Sequence, residues 1–152
     1  MPMSLSEFRY ARRVQFHETD MAGLVHFSCF FQYVEEAEHA MWRAAGLSPA
    51  PRTSGVGFPR VAASLDFRSP LRFEDEFEVA IRIAAVTNKT IRYACTMTRE
   101  GECIAEGSMT VISVMGAPDG NITGVPLPAE VRAAFQVHPD TNELSLPEGR
   151  RP

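Results

Sequence analysis

Three residues with chemical potential stand close together in the segment VQFHETDMAGLVHFSCFF, residues 14–31: the acids Glu18 and Asp20, and Gly23. About eight residues after Asp20 begins a run whose spacing reads as a helix. A helix start carries unpaired N–H groups and the positive end of the helix dipole. A carboxylate beside it can act as nucleophile or base, and the N–H groups can hold an oxygen that gains negative charge. Acyl transfer needs both functions. The same spacing also describes a plain turn in which Asp20 bonds to its own backbone, and the local sequence leaves both readings open. His17, Asp20 and His26 form no zinc-binding spacing, so no metal is expected there.

The elements that must position such a loop are legible from periodicity. In residues 28–46, Phe30, Val34, Ala37, Met41 and Ala45 recur at steps of three and four, which gathers them on one side of a helix. Ser28 is the expected N-cap, and Gly46 with Pro49 the expected stop. Residues 8–16 roughly alternate and predict a first strand. After a connector rich in Pro, Ser and Gly at residues 49–57, the period changes to two. Val61, Ala63, Leu65, Phe67, Leu71 and Phe73 share one parity, so residues 61–73 predict a long half-buried strand, with Pro70 marking an edge or a bulge. Phe77, Val79, Ile81 and Ile83 predict the next strand, and Ile91, Tyr93, Cys95 and Met97 another. Residues 103–115 predict the last. Short turns at Asn88-Lys89 and Glu100-Gly101 make the series antiparallel. The fold class is therefore α+β, with the long helix covering the apolar face of the sheet. Residues 127–135 predict a short second helix.

Composition narrows the function. The chain has 152 residues, of which 45% are hydrophobic and 22% charged, which suits one folded domain. That domain is expected over residues 1–137, with a loose tail at 138–152. A formal charge of −4 argues against a nucleic-acid partner, whose footprint would be basic. No stretch reaches the roughly 18–20 apolar residues of a membrane span, and the first ten residues lack the layout of a signal peptide. The cysteines Cys29, Cys95 and Cys103 are odd in number and form no CxxC pair, so free thiols and a cytoplasmic location are expected.

The run Val14-x-Phe16-x-x-Thr19-Asp20-x-x-Gly23-x-Val25, followed by aromatics and by Glu35-x-Ala37, resembles the hotdog-fold acyl-CoA thioesterases. It is most similar to the 4-hydroxybenzoyl-CoA thioesterase group and the Tol-Pal-associated bacterial thioesterases. The likeness covers about residues 8–135. It implies the hotdog fold, a five-stranded antiparallel sheet wrapped round a long central helix, with the active site where two subunits meet. It gives Asp20 the catalytic role, as nucleophile or general base, and makes the Phe27 N–H the group that polarises the thioester carbonyl. Gly23 would let the backbone approach the thioester. The Tol-Pal branch carries a histidine where Phe27 stands; here the histidine is His26, one residue earlier, which would either line the pocket or simply hydrogen-bond near the helix start. Glu35 matches the family's helix glutamate. Lys89 and Thr90 fall where relatives place groups near CoA and the thioester. Phe27, Phe30, Phe31 and Phe58 would line the acyl end. Glu36 and Glu38 read as solvated or interface charges.

The resemblance thus implies hydrolysis of an acyl-CoA to free acid and CoA by a homodimer or homotetramer. A non-catalytic module that binds acyl-CoA is the alternative. A hotdog dehydratase would pair a histidine with an acid on a differently placed helix, and no such pair is visible.

Overall fold

The computed structural model describes residues 4–52 and 54–140. Strand β1 (Glu7–Arg13) is followed by a single 3₁₀ turn (Phe16–Glu18) and by helix α1 (Phe27–Ala44). Then come β2 (Val56–Gly57), β3 (Arg60–Phe67), β4 (Glu76–Val86), β5 (Thr90–Arg99), β6 (Glu102–Ile112), β7 (Val114–Gly116), β8 (Ile122–Gly124) and α2 (Ala129–Ala134). The main sheet has five antiparallel strands in the order β1-β4-β5-β6-β3, and β2-β7-β8 form a small second sheet.

The apolar stripe of α1 does what its spacing implies. Phe30, Val34, Ala37 and Met41 are buried, joined by Tyr33 and Trp42. The alternation of β4 and β5 is equally clean. Val79, Ile81 and Ile83, and Ile91, Tyr93, Cys95 and Met97, turn into the same core. Each such side chain contributes roughly 1.5–3 kcal/mol by leaving water. One polar bond crosses this core: the Trp42 indole N–H donates to the Tyr93 hydroxyl at 3.1 Å. Trp42 also packs on Phe58 and Phe135, with ring centroids 4.7 and 5.3 Å away.

The helix starts two residues earlier than its capping pattern suggested. His26, not Ser28, is the N-cap, and its ring accepts from the Ser28 N–H. The cause lies outside the helix: the His26 N–H is held by the Glu18 carbonyl at 2.9 Å, which turns the chain into α1 at Phe27. The far end stops as expected. Gly46 takes a φ of 77°, and the Gly46 and Leu47 N–H groups close onto the carbonyls of Arg43 and Trp42.

Three strand expectations need correction. The first strand ends at Arg13, one residue before its last backbone bonds at Val14, because the chain then enters the 3₁₀ turn at Phe16. The strand expected over residues 61–73 ends at Phe67. Pro70 has no N–H to give a ladder, Arg68 and Ser69 both donate to the Ile104 carbonyl, and Glu74 adopts a φ of 70°. Leu71 is buried nonetheless, from a loop. Strand β3 lies at the sheet edge, and Val61 and Phe67 remain 59% and 47% exposed in the single chain. The last strand divides at Ser113, whose N–H donates to the Lys89 carbonyl, into β6 and β7.

The N-terminus is tied in from the other edge. β1 pairs β4 from Glu7↔Arg82 to Arg13↔Glu76, and the Val14 N–H continues to the Asp75 carbonyl at 3.0 Å. The His138 N–H reaches the Ile83 carbonyl at 2.9 Å. Residues 141–152 of the expected tail lie outside the described residues.

Gly107 sets how closely β3 seats on β6. A Cβ there would lie 1.9 Å from the Ser64 carbonyl oxygen, a backbone atom that cannot swing away. Gly107→Ala should therefore lower stability by about 1–3 kcal/mol or more, read as a fall in the denaturant midpoint.

Candidate active site

Residues 19–25 form a closed loop at the entrance to α1. Thr19 bridges Val25, the Asp20 N–H donates to the Leu24 carbonyl at 2.7 Å, and the Gly23 N–H donates to the Asp20 carbonyl at 3.0 Å. Gly23 has a φ of 78°, a left-handed backbone that side chains with a Cβ resist. The Asp20 side chain folds back on this loop. Its Oδ1 accepts from the Ala22 N–H at 2.8 Å and the Leu24 N–H at 3.2 Å. Oδ2 has no partner among the described residues, and Asp20 is exposed in the single chain. Asp20 therefore bonds its own turn through one oxygen and presents the other outward. The loop is fastened to the body by the Val25 N–H, which donates to the Leu71 carbonyl at 2.8 Å.

Beside the loop lies a cleft of about 310 Å³, lined by Leu24, Val25, Phe27, Phe30, Phe67, Arg68, Ser69 and Pro70. Asp20 is not itself in the lining, but Leu24, bonded to its carboxylate, is. Phe27 is the first residue of α1, and its N–H makes no hydrogen bond among the described residues. Phe30 is buried and meets the Phe67 ring edge-on at 5.1 Å. The cleft thus combines aromatic walls with a helix N-terminus. His26 bonds Ser28 through Nδ1 at 2.7 Å and stacks on the Phe27 ring at 4.7 Å, which is a capping role.

Other expected site residues lie elsewhere. Glu35 and Phe58 line a second cleft of about 250 Å³, with Glu38, His39, Pro49, Ala50, Pro59 and Arg60. Arg60 bonds both Glu38 oxygens at 3.1 and 3.3 Å and Glu35 at 3.4 Å. Glu38, expected as a solvated or interface charge, is not solvated in this chain: it is buried, and Arg60 on β3 is the countercharge that admits it to the interior. Lys89 and Thr90 sit at the β4–β5 turn, where the Thr90 hydroxyl bonds Thr87 at 2.6 Å. Among the described residues, no hydrogen bond or ion pair joins them to Asp20. Among the described residues, no cluster of three or more His, Cys, Asp or Glu side chains could hold a metal ion, and no helix is long and apolar enough to cross a membrane.

The spacing that placed Glu18 beside Asp20 as a second candidate acid does not reveal how differently they stand. Glu18 is only 4% exposed. Arg12 grips both of its oxygens, at 2.7 and 2.6 Å, while the Gln15 N–H and the Tyr33 hydroxyl donate to Oε1 at 2.7 and 3.0 Å. Burial alone would raise the Glu18 carboxyl, but these donors outweigh it and hold it below the ordinary range. Burial, with Glu18 alongside, pushes the Tyr33 hydroxyl up, so it stays a donor. Glu36, expected as a solvated or interface charge, also bonds Arg12, at 2.6 Å. Arg68, Ser69 and Pro70 were missed as cleft residues; the proline that ends β3 was their only sequence signal.

This architecture is the hotdog fold of thioester hydrolases, and residues 14–135 match the family model of the thioesterase-like superfamily; the chain belongs to that family. It is 31% identical over 120 residues to a putative esterase of Aquifex aeolicus, covering 78% of this chain and 91% of the relative. It is 28% identical over 108 residues to a 1,4-dihydroxy-2-naphthoyl-CoA hydrolase of Nostoc punctiforme, covering 58% and 73% of the two chains. Among solved structures, a gentisyl-coenzyme A thioesterase superposes with a TM-score of 0.73 at 26% identity, over 82% of this chain and 98% of the other. The expectation of a thioester hydrolase is thus met at the level of the family. The particular likeness to the Tol-Pal branch has no counterpart among these relatives.

The Glu18 arrangement has an acid limit. Because the folded-state carboxyl is lowered, its stabilisation is complete above the ordinary value of about 4.5 and is lost as pH falls through the lower folded value. Thermal midpoints recorded between pH 6 and pH 2 should fall on the acid side, and Glu18→Gln should flatten that fall.

Proposed function

We propose that the protein is an acyl-CoA thioesterase that hydrolyses an aromatic, hydroxyl-bearing acyl thioester to the free acid and CoA. The observation that carries the reading is that Asp20, on the loop leading into α1, keeps a carboxylate oxygen without a partner among the described residues, while the Phe27 N–H at the head of that helix is also unbonded. The thioester carbonyl would lie against the Phe27 N–H, which gains strength as the oxygen becomes an anion. By one route Asp20 Oδ2 takes the proton of a water that attacks the carbonyl carbon, and the tetrahedral centre collapses to the free acid and expels the CoA thiolate, which takes that proton back. By the other Oδ2 itself attacks and expels the CoA thiolate, leaving a mixed anhydride that a water then hydrolyses to the free acid and Asp20. Label found in Asp20 after one turnover in H₂¹⁸O would mark direct attack, with the water entering at the Asp20 carbonyl. Gly23 supports the site by allowing the loop to close. The aromatic preference is supported by the Phe27, Phe30 and Phe67 walls, and by the hydroxyaryl substrates in the names of two relatives.

The reading includes a second copy of the chain. β3 is an edge strand with exposed Val61 and Phe67, and an open apolar edge invites another strand. Glu35, Phe58, Lys89 and Thr90, which one chain keeps apart from Asp20, would then reach the cleft from the partner, with Lys89 available to a CoA phosphate. The three cysteines are free, and burial pushes the Cys95 thiol up to about 12, in keeping with the cytoplasmic location expected for the chain.

A panel of acyl-CoA substrates with a thiol-detecting reagent should give turnover, fastest with hydroxyaryl groups. Asp20→Asn keeps an oxygen for the Ala22 and Leu24 N–H groups, so it should fold normally yet lose about 10²–10⁴-fold in kcat. Binding of acyl-CoA without turnover by the wild type would instead favour a non-catalytic module. The mass in solution should be two or four times 16.8 kDa; a stable, active monomer would refute the shared site.

A further inference from the structure

Asp20 is held by a loop, and a loop positions a reacting group only as well as its anchors do. Those anchors meet at Glu18, two residues before Asp20. The Glu18 carboxylate takes hydrogen bonds from three elements: Arg12 of β1, the Gln15 N–H of the 3₁₀ turn and Tyr33 of α1. Its carbonyl takes two more from the head of the helix, the His26 N–H at 2.9 Å and the Cys29 thiol at 3.6 Å. One residue therefore ties the strand before the loop to the helix after it.

We propose that Glu18 is a positioning residue for Asp20: clamped by Arg12 and Tyr33, it sets the separation between the Asp20 carboxylate and the first turn of α1. The inference rests on the assignment of Asp20 above. Arg12 is itself fixed from three sides. Its Nε and one terminal nitrogen bond Glu36 at 2.6 and 3.2 Å, a second contact reaches the Arg13 carbonyl at 2.9 Å, and the guanidinium lies 4.5 Å above the Tyr33 ring. A buried ion pair adds little net stability compared with well-packed apolar side chains. What the planar fork supplies is direction, since two parallel bonds fix the carboxylate plane. The Tyr33 ring continues the constraint into the core, where it packs against Phe30 and Phe77 with centroids 6.1 and 4.8 Å away. An apolar side chain at position 18 could fill the space, but it could not fix the angle at which the chain departs toward Asp20.

The test is a kinetic cycle in the full-length protein, with the best substrate of the acyl-CoA panel. Glu18→Gln and Tyr33→Phe are made alone and on the Asp20→Asn background, with kcat, KM and thermal midpoint read for each. A misplacement of about 1 Å can cost on the order of 10²-fold. Glu18→Gln should therefore lower kcat by about 10- to 100-fold with KM nearly constant, and Tyr33→Phe by a smaller factor. On the Asp20→Asn background neither should slow the residual rate further, because the group they act through is gone. Should Glu18→Gln fail to fold, Tyr33→Phe, which removes one hydrogen bond and no charge, carries the cycle alone. A fall in thermal midpoint with unchanged kcat would overturn the proposal, as would an equal loss on both backgrounds. If Asp20→Asn loses turnover while the other two keep it, the role of Glu18 fails and that of Asp20 stands. If Asp20→Asn keeps full turnover, both fail.

Discussion

The register of α1 against β4 and β5 is the constraint on which the site depends. Phe30, Tyr33, Val34, Ala37, Met41 and Trp42 enter a core already shaped by the alternating residues of the two strands. Sliding the helix by one turn would move its N-terminus by about 5.4 Å. It would also strip the Trp42 N–H from the Tyr93 hydroxyl, leaving a buried donor unpaired at a cost of about 1–3 kcal/mol. Apolar packing some distance from the chemistry thus decides where the first helical N–H groups stand, and with them any site built on Phe27.

Polar burial is concentrated where direction matters. Two acid–arginine pairs flank the helix, Glu18 with Arg12 and Glu38 with Arg60. The first stands behind the Asp20 loop, and the second lines the cleft that contains Glu35 and Phe58. Each joins α1, or the turn leading to it, to an edge strand of the sheet, β1 in one case and β3 in the other. Apolar contacts alone would leave those junctions able to shift, whereas the paired charges admit one geometry.

Much of this was legible in the amino-acid order, for a physical reason. Long elements with one buried face write their period into the sequence, so α1, β4 and β5 were readable from the recurrence of Phe30, Val34 and Met41, or of Val79, Ile81 and Ile83. A turn at Asp20 was one of two readings the local sequence left open, an aspartate bonding its own backbone, and it is the bond the Asp20 side chain makes. What escaped was decided by partners distant in the chain. Nothing near Glu18 announces that Arg12 and Tyr33 will converge on it while Asp20 faces outward. His26 displaced Ser28 as the cap through a bond to a carbonyl eight residues back. β3 reads as half-buried because its apolar parity suits a covered face, yet Val61 and Phe67 stay exposed among the described residues.

The pairing of β1 with β4 has a consequence for how the molecule is made. Glu7 meets Arg82 and Arg13 meets Glu76, so the strand synthesised first has no partner until the fourth strand exists. Closing so long a loop is entropically unfavourable, and contacts this remote in sequence slow folding. The β4-β5-β6 meander, with its short turns, can assemble locally. The N-terminal strand must wait for it, and the bond from Val14 to Asp75 forms only when they meet. A ribosome-bound fragment ending before Glu76 would carry every residue of the Asp20 loop, together with the Arg12, Tyr33 and Leu71 groups that bond it, but β1, the strand leading into it, would still lack the strand it pairs with.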